Sequence, residues 1–174
     1  KWNIVENKEN RYLKELRKIA TIESIGSSTR IEGATLTDQE VQELLKDINI
    51  IAEICDDWGA TLIVTDHIHL KGKADIQGFH IENMDADFIA LRKLIGEEYT
   101  LGGSANSVEN LIRLANESAD YAGFGPFSIT KTKPNNAPIL GFKGYSYAAE
   151  QLQLKNLNFP FLAVGGVTLA DVDA

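Results

Sequence analysis

Two aspartates follow successive predicted strands, and they are the residues of this sequence best suited to hold a metal ion. Asp66 comes after the apolar run 61–65, and Asp85 comes a few residues after the run 76–81. The carboxyl ends of parallel strands lie at one edge of a sheet, so the two carboxylates can converge there. Carboxylate oxygens suit Mg²⁺, which in turn binds diphosphate. An ordinary capping role also fits, in a turn for Asp66 and at the start of the helix predicted over 87–95 for Asp85.

A hydroxyl- and lysine-rich segment has the chemistry of a phosphate site. Thr130, Thr132 and Lys133 come after a predicted strand that ends in Gly125-Pro126. Hydroxyl and ammonium donors beyond a parallel strand suit recognition of phosphate oxygens. A solvated loop is the plainer interpretation, because most loops rich in Lys and Thr have no ligand.

Glycines at two other strand ends extend the same pattern. Gly165 and Gly166 end the last predicted strand, where they allow close approach of the backbone to a ligand and precede the N–H groups of a helix start. Ser104 follows Gly102-Gly103 in the same manner. Tight turns between strand and helix explain these glycines equally well.

Three histidines suggest a different metal chemistry. His67 and His69 form an H-x-H pair, and His80 lies in the next predicted strand. Imidazole nitrogens bind zinc, and Asp66 and Asp85 are near enough in sequence to complete such a site. A zinc site would indicate a metal-dependent hydrolase, whereas histidines with no metal are commoner in folded proteins.

Strands alternate with helices through the region that carries these residues. The hydrophobic pattern predicts helices over 87–95, 106–118 and 142–154, and strands over 61–65, 76–81, 99–103, 121–127 and 159–167. The alternation indicates parallel βα units, in either a doubly wound sheet or a (β/α) barrel. Both architectures collect ligand-binding residues at the carboxyl ends of the strands.

The chain before residue 50 has a purely helical pattern. Thr37 and Glu40 are spaced as a capping box, and the helix that they open runs to Trp58, with Gly59 as its C-cap. The predicted domains are therefore a helical segment over 1–50 and a βα region over 51–174.

Composition limits the function. The net charge of −8 argues against a nucleic-acid surface, and no apolar run is long enough to span a bilayer. The polar, charged N-terminus does not fit a secretory signal, and the single Cys55 excludes an internal disulfide. We therefore expect a cytoplasmic protein that contacts neither nucleic acid nor membrane.

The βα region resembles thiamin phosphate synthase and its relative TenI. The resemblance is carried by 119–127, by Thr130-Lys131-Thr132-Lys133 and by 163–167, and it extends back through 101–104, 78–81 and 62–66. It implies a TIM-barrel-type fold. It also implies a transferase of thiamin biosynthesis that joins hydroxymethylpyrimidine diphosphate to thiazole phosphate and releases diphosphate.

The resemblance assigns a role to each candidate residue. It implies that Asp66 and Asp85 hold Mg²⁺, that Ser104 and Lys133 contact the diphosphate, and that the thiazole phosphate is bound by the remaining four: Thr130, Thr132, Gly165 and Gly166. The partners it implies are small phosphorylated substrates.

Departures from the family pattern predict impaired coupling. Thr65 stands where the family has Asn, and Glu82-Asn83 stands where it has Gly-Gln, which adds negative charge beside the diphosphate. The family's early Gln-x-Arg-x-Lys element and its last strand have no counterpart in the sequence. Five strands do not close an eight-stranded barrel. We therefore expect an incomplete barrel, whose edges are exposed unless an oligomer or a complementing partner chain covers them.

The N-terminal segment resembles the inhibitory helix of Fic-domain proteins. Ser28, Glu32 and Gly33 occupy the key places of the pattern (Ser/Thr)-x-x-x-Glu-(Gly/Asn), while the catalytic Fic motif is absent from the sequence. The resemblance implies a regulatory or interaction module that inhibits adenylyl transfer on a separate protein. Two resemblances in one chain predict a fusion, a truncation or a composite. The sequence thus leaves three functions open: a thiamin-phosphate-synthase-like transferase, a Fic-type module and a metal-dependent hydrolase.

Overall fold

The computed structural model describes residues 37–130 and 137–172. These residues belong to two compact units: 37–60 with 72–75 in the first, and 61–71, 76–130 and 137–172 in the second. No helix among the described residues is long and apolar enough to cross a membrane.

The described residues of the first unit consist mainly of one long helix. Helix α1 spans Asp38–Trp58, and the predicted capping box is present, with Thr37 Oγ1 accepting from Glu40 N at 3.3 Å and Glu40 Oε2 accepting from Thr37 N at 2.7 Å. Gly59 ends the helix at φ 63° in the left-handed region, which glycine adopts without strain. The helix runs through residue 50 without a break, and the domain division at that residue stays a prediction.

Strands and helices alternate throughout the second unit. Its helices are α2 (Phe88–Ile95), α3 (Val108–Asn116) and α4 (Gly141–Leu154), with short 3-10 turns at Ile68–Leu70 and Leu169–Asp171. Its strands are β1 (Ile63–Thr65), β2 (Gly78–Ile81), β3 (Thr100–Ala105), β4 (Tyr121–Phe124) and β5 (Phe161–Ala163).

Strand order identifies the architecture. The sheet has the order β1-β2-β3-β4-β5, and every neighbouring pair is parallel. A doubly wound sheet reverses its order at a switch point, whereas a (β/α) barrel adds each strand beside the one before it. The predicted barrel-type fold is therefore confirmed as an open, five-stranded part of such a barrel.

Several element boundaries differ from the prediction. The last two strands are shorter than predicted, because β4 stops before Gly125-Pro126 and β5 stops before the left-handed Gly165 and Gly166. Helix α3, whose predicted range begins at residue 106, is capped by Ser107 rather than by Asn106, since Ser107 Oγ accepts from Asn110 N at 3.2 Å. Both residue types are favourable caps, so the sequence pattern does not separate them.

The core of the second unit lies between the sheet and its helices. Phe79, Leu101 and Ala122 of the strands are fully buried, and Phe88 and Leu111 of the helices are buried with them. An aromatic group closes the end near β5, where the Tyr145 hydroxyl donates to the Phe124 carbonyl. Burial raises the pKa of the Tyr145 phenol, which therefore stays neutral and able to donate.

Arg92 of α2 holds the segments that lead into β3 and β4. Its guanidinium is buried and donates to the carbonyls of Gly96, Tyr99 and Ser118 at 2.7–3.2 Å and to Asp120 Oδ2 at 2.6 Å. Asp120 Oδ2 also accepts from Leu101 N at 2.7 Å. These partners precede β3 and β4, so Arg92 lies at the end of the strands opposite the predicted site.

Replacing Arg92 with Met is expected to lower the free energy of unfolding by about 3 kcal/mol, because three backbone carbonyls and the Asp120 carboxylate lose their donor. Urea unfolding of the wild type and the variant measures this difference. Lys93→Met, at the exposed neighbouring position, is the control. Equal stability of the two variants would show that the Arg92 contacts contribute nothing beyond the loss of a surface charge.

Candidate functional site

The predicted metal ligand Asp66 occupies an unusual backbone conformation directly after β1. Its φ is 56°, in the left-handed region that few residues other than glycine, asparagine and aspartate tolerate. Its amide donates to the His80 carbonyl at 2.9 Å, which continues the pairing of β1 with β2 beyond the last strand residue. Residues held in this region often mark functional sites.

The loop that carries Asp85 is tied directly to Asp66. Glu82 N donates to Asp66 Oδ1 at 3.0 Å, so the segment leaving β2 is fixed beside the end of β1. Asn83 then forms a turn, in which its side-chain oxygen accepts from Asp85 N at 3.0 Å and its carbonyl accepts from Ala86 N at 3.2 Å. The structure thus brings the two predicted carboxylates to neighbouring strand ends.

Asp85 is not used as a helix cap. The N-cap of α2 is Asp87, whose Oδ1 accepts from Ala90 N at 2.9 Å, and Asp85 lies exposed in the turn before it. The capping interpretation of Asp85 is therefore wrong, because the helix begins one residue later than predicted and Asp87 takes that position.

A chain of three polar side chains crosses strands β2, β3 and β4. His80 Nε2 lies 3.0 Å from Ser104 Oγ, and His80 Nδ1 lies 3.0 Å from the Tyr121 hydroxyl. Parallel register explains the meeting, since His80 pairs with Gly102, and Gly102 pairs with Tyr121. Ser104 is therefore held by an imidazole that is itself held by a phenol.

Glycines leave room for these three hydrogen-bonded side chains. A Cβ at Gly102 would lie 2.2–2.5 Å from ring atoms of Tyr121, and a Cβ at Gly123 would lie 3.5 Å from His80 Cε1. A side chain at Gly102 would therefore push the phenol away from His80. Gly102 serves this packing, while the predicted role of the Gly102-Gly103 pair as a ligand turn is not needed to explain it.

Burial raises the pKa of the Tyr121 phenol, so it remains neutral at ordinary pH. A neutral phenol can donate to His80 Nδ1. The neutral imidazole then carries its hydrogen on Nε2 and donates to Ser104 Oγ, because one ring nitrogen donates and the other accepts. In this arrangement the hydroxyl hydrogen of Ser104 is left for another acceptor.

The predicted phosphate turn follows β5 and is held against the segment after β4. Gly165 and Gly166 have φ values of 83° and 74°. Ser128 N donates to the Gly165 carbonyl at 2.9 Å, and a Cβ on Gly166 would lie 2.7 Å from the Ile129 carbonyl oxygen. The turn therefore contacts the same segment that leads into Thr130, which is half-buried.

Several predicted residues lie outside the described part of the chain. They are Thr132 and Lys133 of the phosphate segment and Ser28, Glu32 and Gly33 of the Fic-like pattern. The described members of the candidate site are Asp66, Asp85, Ser104, Thr130, Gly165 and Gly166. Ser104 is the second-last residue of β3, and each of the others follows one of the parallel strands.

The histidine-based metal interpretation gains no support from the described residues. His67 is buried with its ring centroid 5.3 Å from that of His69, and His80 is engaged by Ser104 and Tyr121. No group of three or more His, Cys, Asp or Glu within 37–130 and 137–172 is arranged to hold a metal ion. The hydrolase alternative therefore has no observation in its favour.

His80 and Tyr121 are the site residues whose role the sequence pattern did not reveal. The sequence pattern gives Tyr121 no role and indicates His80 only as a zinc ligand. Their distance along the chain, 41 residues, hides the contact. The available signal was the alternation of Gly102 and Ser104 on one face of β3, which leaves room for a large neighbour beside a polar one.

Comparison with known proteins gives a consistent family. The sequence profile described as "Thiamine monophosphate synthase" matches residues 10–174. A protein of Phocaeicola vulgatus named "Thiamine-phosphate synthase" is 34% identical over 79% of this chain and 66% of its own length. A protein of the same name from Bacteroides thetaiotaomicron is 36% identical over 70% of this chain and 58% of its own. The chain thus spans about three fifths to two thirds of these relatives.

A solved structure shares the fold. "Thiamine phosphate pyrophosphorylase from Pyrococcus furiosus" matches with a TM-score of 0.60 and 21% identity over 77% of this chain and 59% of that one. The profile match also includes most of residues 1–50, and none of the comparisons supports a Fic-like segment there. A fusion or composite origin is likewise unsupported.

Proposed function

The chain belongs to the thiamine monophosphate synthase family, and we propose that its strand ends form a site for joining hydroxymethylpyrimidine diphosphate to thiazole phosphate. The reaction breaks the bond between the pyrimidine methylene carbon and a diphosphate oxygen. The thiazole nitrogen forms the new bond to that carbon, and diphosphate leaves with the electron pair. The substrates are the small phosphorylated molecules that the family implies.

Asp66 and Asp85 are proposed to hold Mg²⁺. Their oxygen donors suit this ion, which usually takes one or two carboxylates and completes its shell with water and substrate phosphates. The fit is supported by Asp87 capping α2, which leaves Asp85 exposed at the strand end. When bound, the ion would neutralise negative charge that develops on the leaving diphosphate.

Ser104 is proposed to donate to a diphosphate oxygen. When the Tyr121 hydroxyl donates to His80 Nδ1, His80 Nε2 donates to Ser104 Oγ, and the hydroxyl hydrogen of Ser104 is then left for the ligand. Donors fixed before the reaction stabilise developing charge without reorganisation. His80 and Tyr121 would act by orienting Ser104. Lys133 is proposed to contact the same diphosphate.

The turn at Gly165 and Gly166 is proposed to bind the thiazole phosphate together with Thr130 and Thr132. Left-handed glycines expose their amides to a ligand without steric cost. Within the described residues, neither glycine amide has a hydrogen-bond acceptor.

The observation that carries the proposal is the hydrogen bond from Glu82 N to Asp66 Oδ1. It fixes the loop of Asp85 at the end of β1, on the same sheet edge as Ser104. Glu82 itself is exposed, and its carboxylate adds negative charge to this edge. For that reason we expect substrate binding to be retained better than coupling.

The full chain should be tested with both substrates and Mg²⁺. Calorimetry is expected to detect binding of each substrate, with the pyrimidine diphosphate requiring Mg²⁺. Thiamin phosphate formation, followed by chromatography, is expected to be far below the roughly 10 s⁻¹ typical of enzymes. Failure of either substrate to bind would overturn the proposed function, and turnover at a typical rate would overturn the expected impairment.

A further inference from the structure

An arginine outside the candidate site holds the loop that contains Asp85. Arg113 lies on α3, and its guanidinium donates to the Met84 carbonyl through Nη2 and to the Ala86 carbonyl through Nη1 at 3.1 Å. These two carbonyls flank Asp85 on either side. Arg113 thus holds the turn through the carbonyls of the two residues on either side of the predicted metal ligand.

The guanidinium is itself held in place. Glu117, the C-cap residue of α3, accepts from Nη1 at 2.6 Å, and the guanidinium carbon lies 5.9 Å from the centroid of the Phe88 ring. The Glu117 carboxylate compensates the positive charge locally. Arg113 therefore acts on the loop mainly through the geometry of its donors.

From these contacts we propose that Arg113 is a positioning residue for the metal site, fixing the turn so that the Asp85 carboxylate is presented beside Asp66. The inference rests on the proposed function of Asp66 and Asp85. The bonds to the carbonyls of Met84 and Ala86 and the bond to Glu117 use the planar fork of an arginine. A lysine at this position keeps the charge but offers a single nitrogen, so it cannot make the same three contacts.

Arg92 offers a matched control. Among the described arginines, it is the other one whose guanidinium donates to several loop carbonyls, and those carbonyls lie at the opposite end of the strands. Arg113→Lys and Arg92→Lys both weaken hydrogen bonds from an arginine to backbone carbonyls. Only Arg113 is next to the candidate site. The comparison separates loss of positioning from general loss of stability.

The test measures diphosphate binding by calorimetry at several Mg²⁺ concentrations, at a temperature where all variants are folded. Arg113→Lys is expected to weaken Mg²⁺-dependent binding by about 10-fold, the size of effect seen when groups supporting a metal ligand are removed. Arg92→Lys is expected to lower the melting temperature and leave this affinity unchanged. Unchanged affinity in Arg113→Lys, or an equal loss in Arg92→Lys, would overturn the proposal.

Hydrogen exchange of the Ala86 amide tests the positioning role of Arg113 separately from the proposed function. That amide donates to the Asn83 carbonyl at 3.2 Å, within the turn that Arg113 grips. Faster exchange in Arg113→Lys is expected, with the amides of α2 unaffected, and equal exchange would overturn the positioning role. A wild-type chain that binds no diphosphate at any Mg²⁺ concentration overturns the proposed function, and with it the metal-site role of Arg113.

Discussion

Asp66→Asn is expected to weaken Mg²⁺-dependent binding of diphosphate by about 100-fold or more. Removing residues that only support a metal ligand costs about 10–100-fold in affinity, so loss of a direct ligand charge should reach at least the upper end. Asparagine tolerates the left-handed conformation of residue 66 and keeps an oxygen to accept from Glu82 N. The substitution therefore removes the charge while it preserves the loop, and calorimetry with and without Mg²⁺ measures the effect.

Asp87→Asn is the control for this experiment. Asp87 lies in the loop between β2 and α2, close in sequence to Asp85. It is exposed and caps α2, a role that asparagine fills equally well. It removes the same charge from the same region without touching the proposed ligands. Similar losses in both variants would indicate a general electrostatic effect and would contradict a metal-ligand role for Asp66.

Gly166→Ala is expected to reduce affinity for thiazole phosphate by about 100-fold. The new Cβ would lie 2.7 Å from the Ile129 carbonyl oxygen and 2.8 Å from that of Ser128, and φ at this position is 74°. The backbone of the turn or of the segment leading to Thr130 must therefore move. Displacing one or two charge-assisted hydrogen bonds, each contributing about 1.5–3 kcal/mol, accounts for this magnitude.

Gly141→Ala controls for backbone strain. Gly141 also has a positive φ, 53°, but a Cβ there meets nothing within 4 Å. Both variants place an alanine at a strained positive φ. Only Gly166→Ala also displaces the segment that leads to Thr130. If phosphate affinity fell equally in the two variants, the turn at Gly166 would have no direct part in binding.

The sequence predicted the elements of the fold well, because each carries a local signal. Thr37 with Glu40 marked the start of α1, Gly59 marked its end, and short apolar runs marked all five strands. The choice between a barrel and a doubly wound sheet could not be made from this pattern. Buried parallel strands are apolar on both faces, so the pattern says nothing about which strands are neighbours.

The polar contacts that organise the site were mostly not predictable. Arg113 bonds to backbone carbonyls, and a backbone carbonyl leaves no mark in the sequence. His80 meets Ser104 and Tyr121 only through the register of three strands. The placement of Asp66 and Asp85 at neighbouring strand ends was predictable, because the carboxyl ends of parallel strands share an edge whatever the register.

The central claim is that the strand ends form a magnesium-assisted diphosphate site, and a calorimetric titration with diphosphate tests it most directly. Wild type, Lys133→Ala and Lys143→Ala should each be titrated with and without Mg²⁺, with Lys143 serving as an exposed lysine on α4. The account predicts that Mg²⁺ strengthens binding, that Lys133→Ala weakens it by about 10-fold, and that Lys143→Ala matches the wild type. Diphosphate affinity that is indifferent to both Mg²⁺ and Lys133 would contradict it.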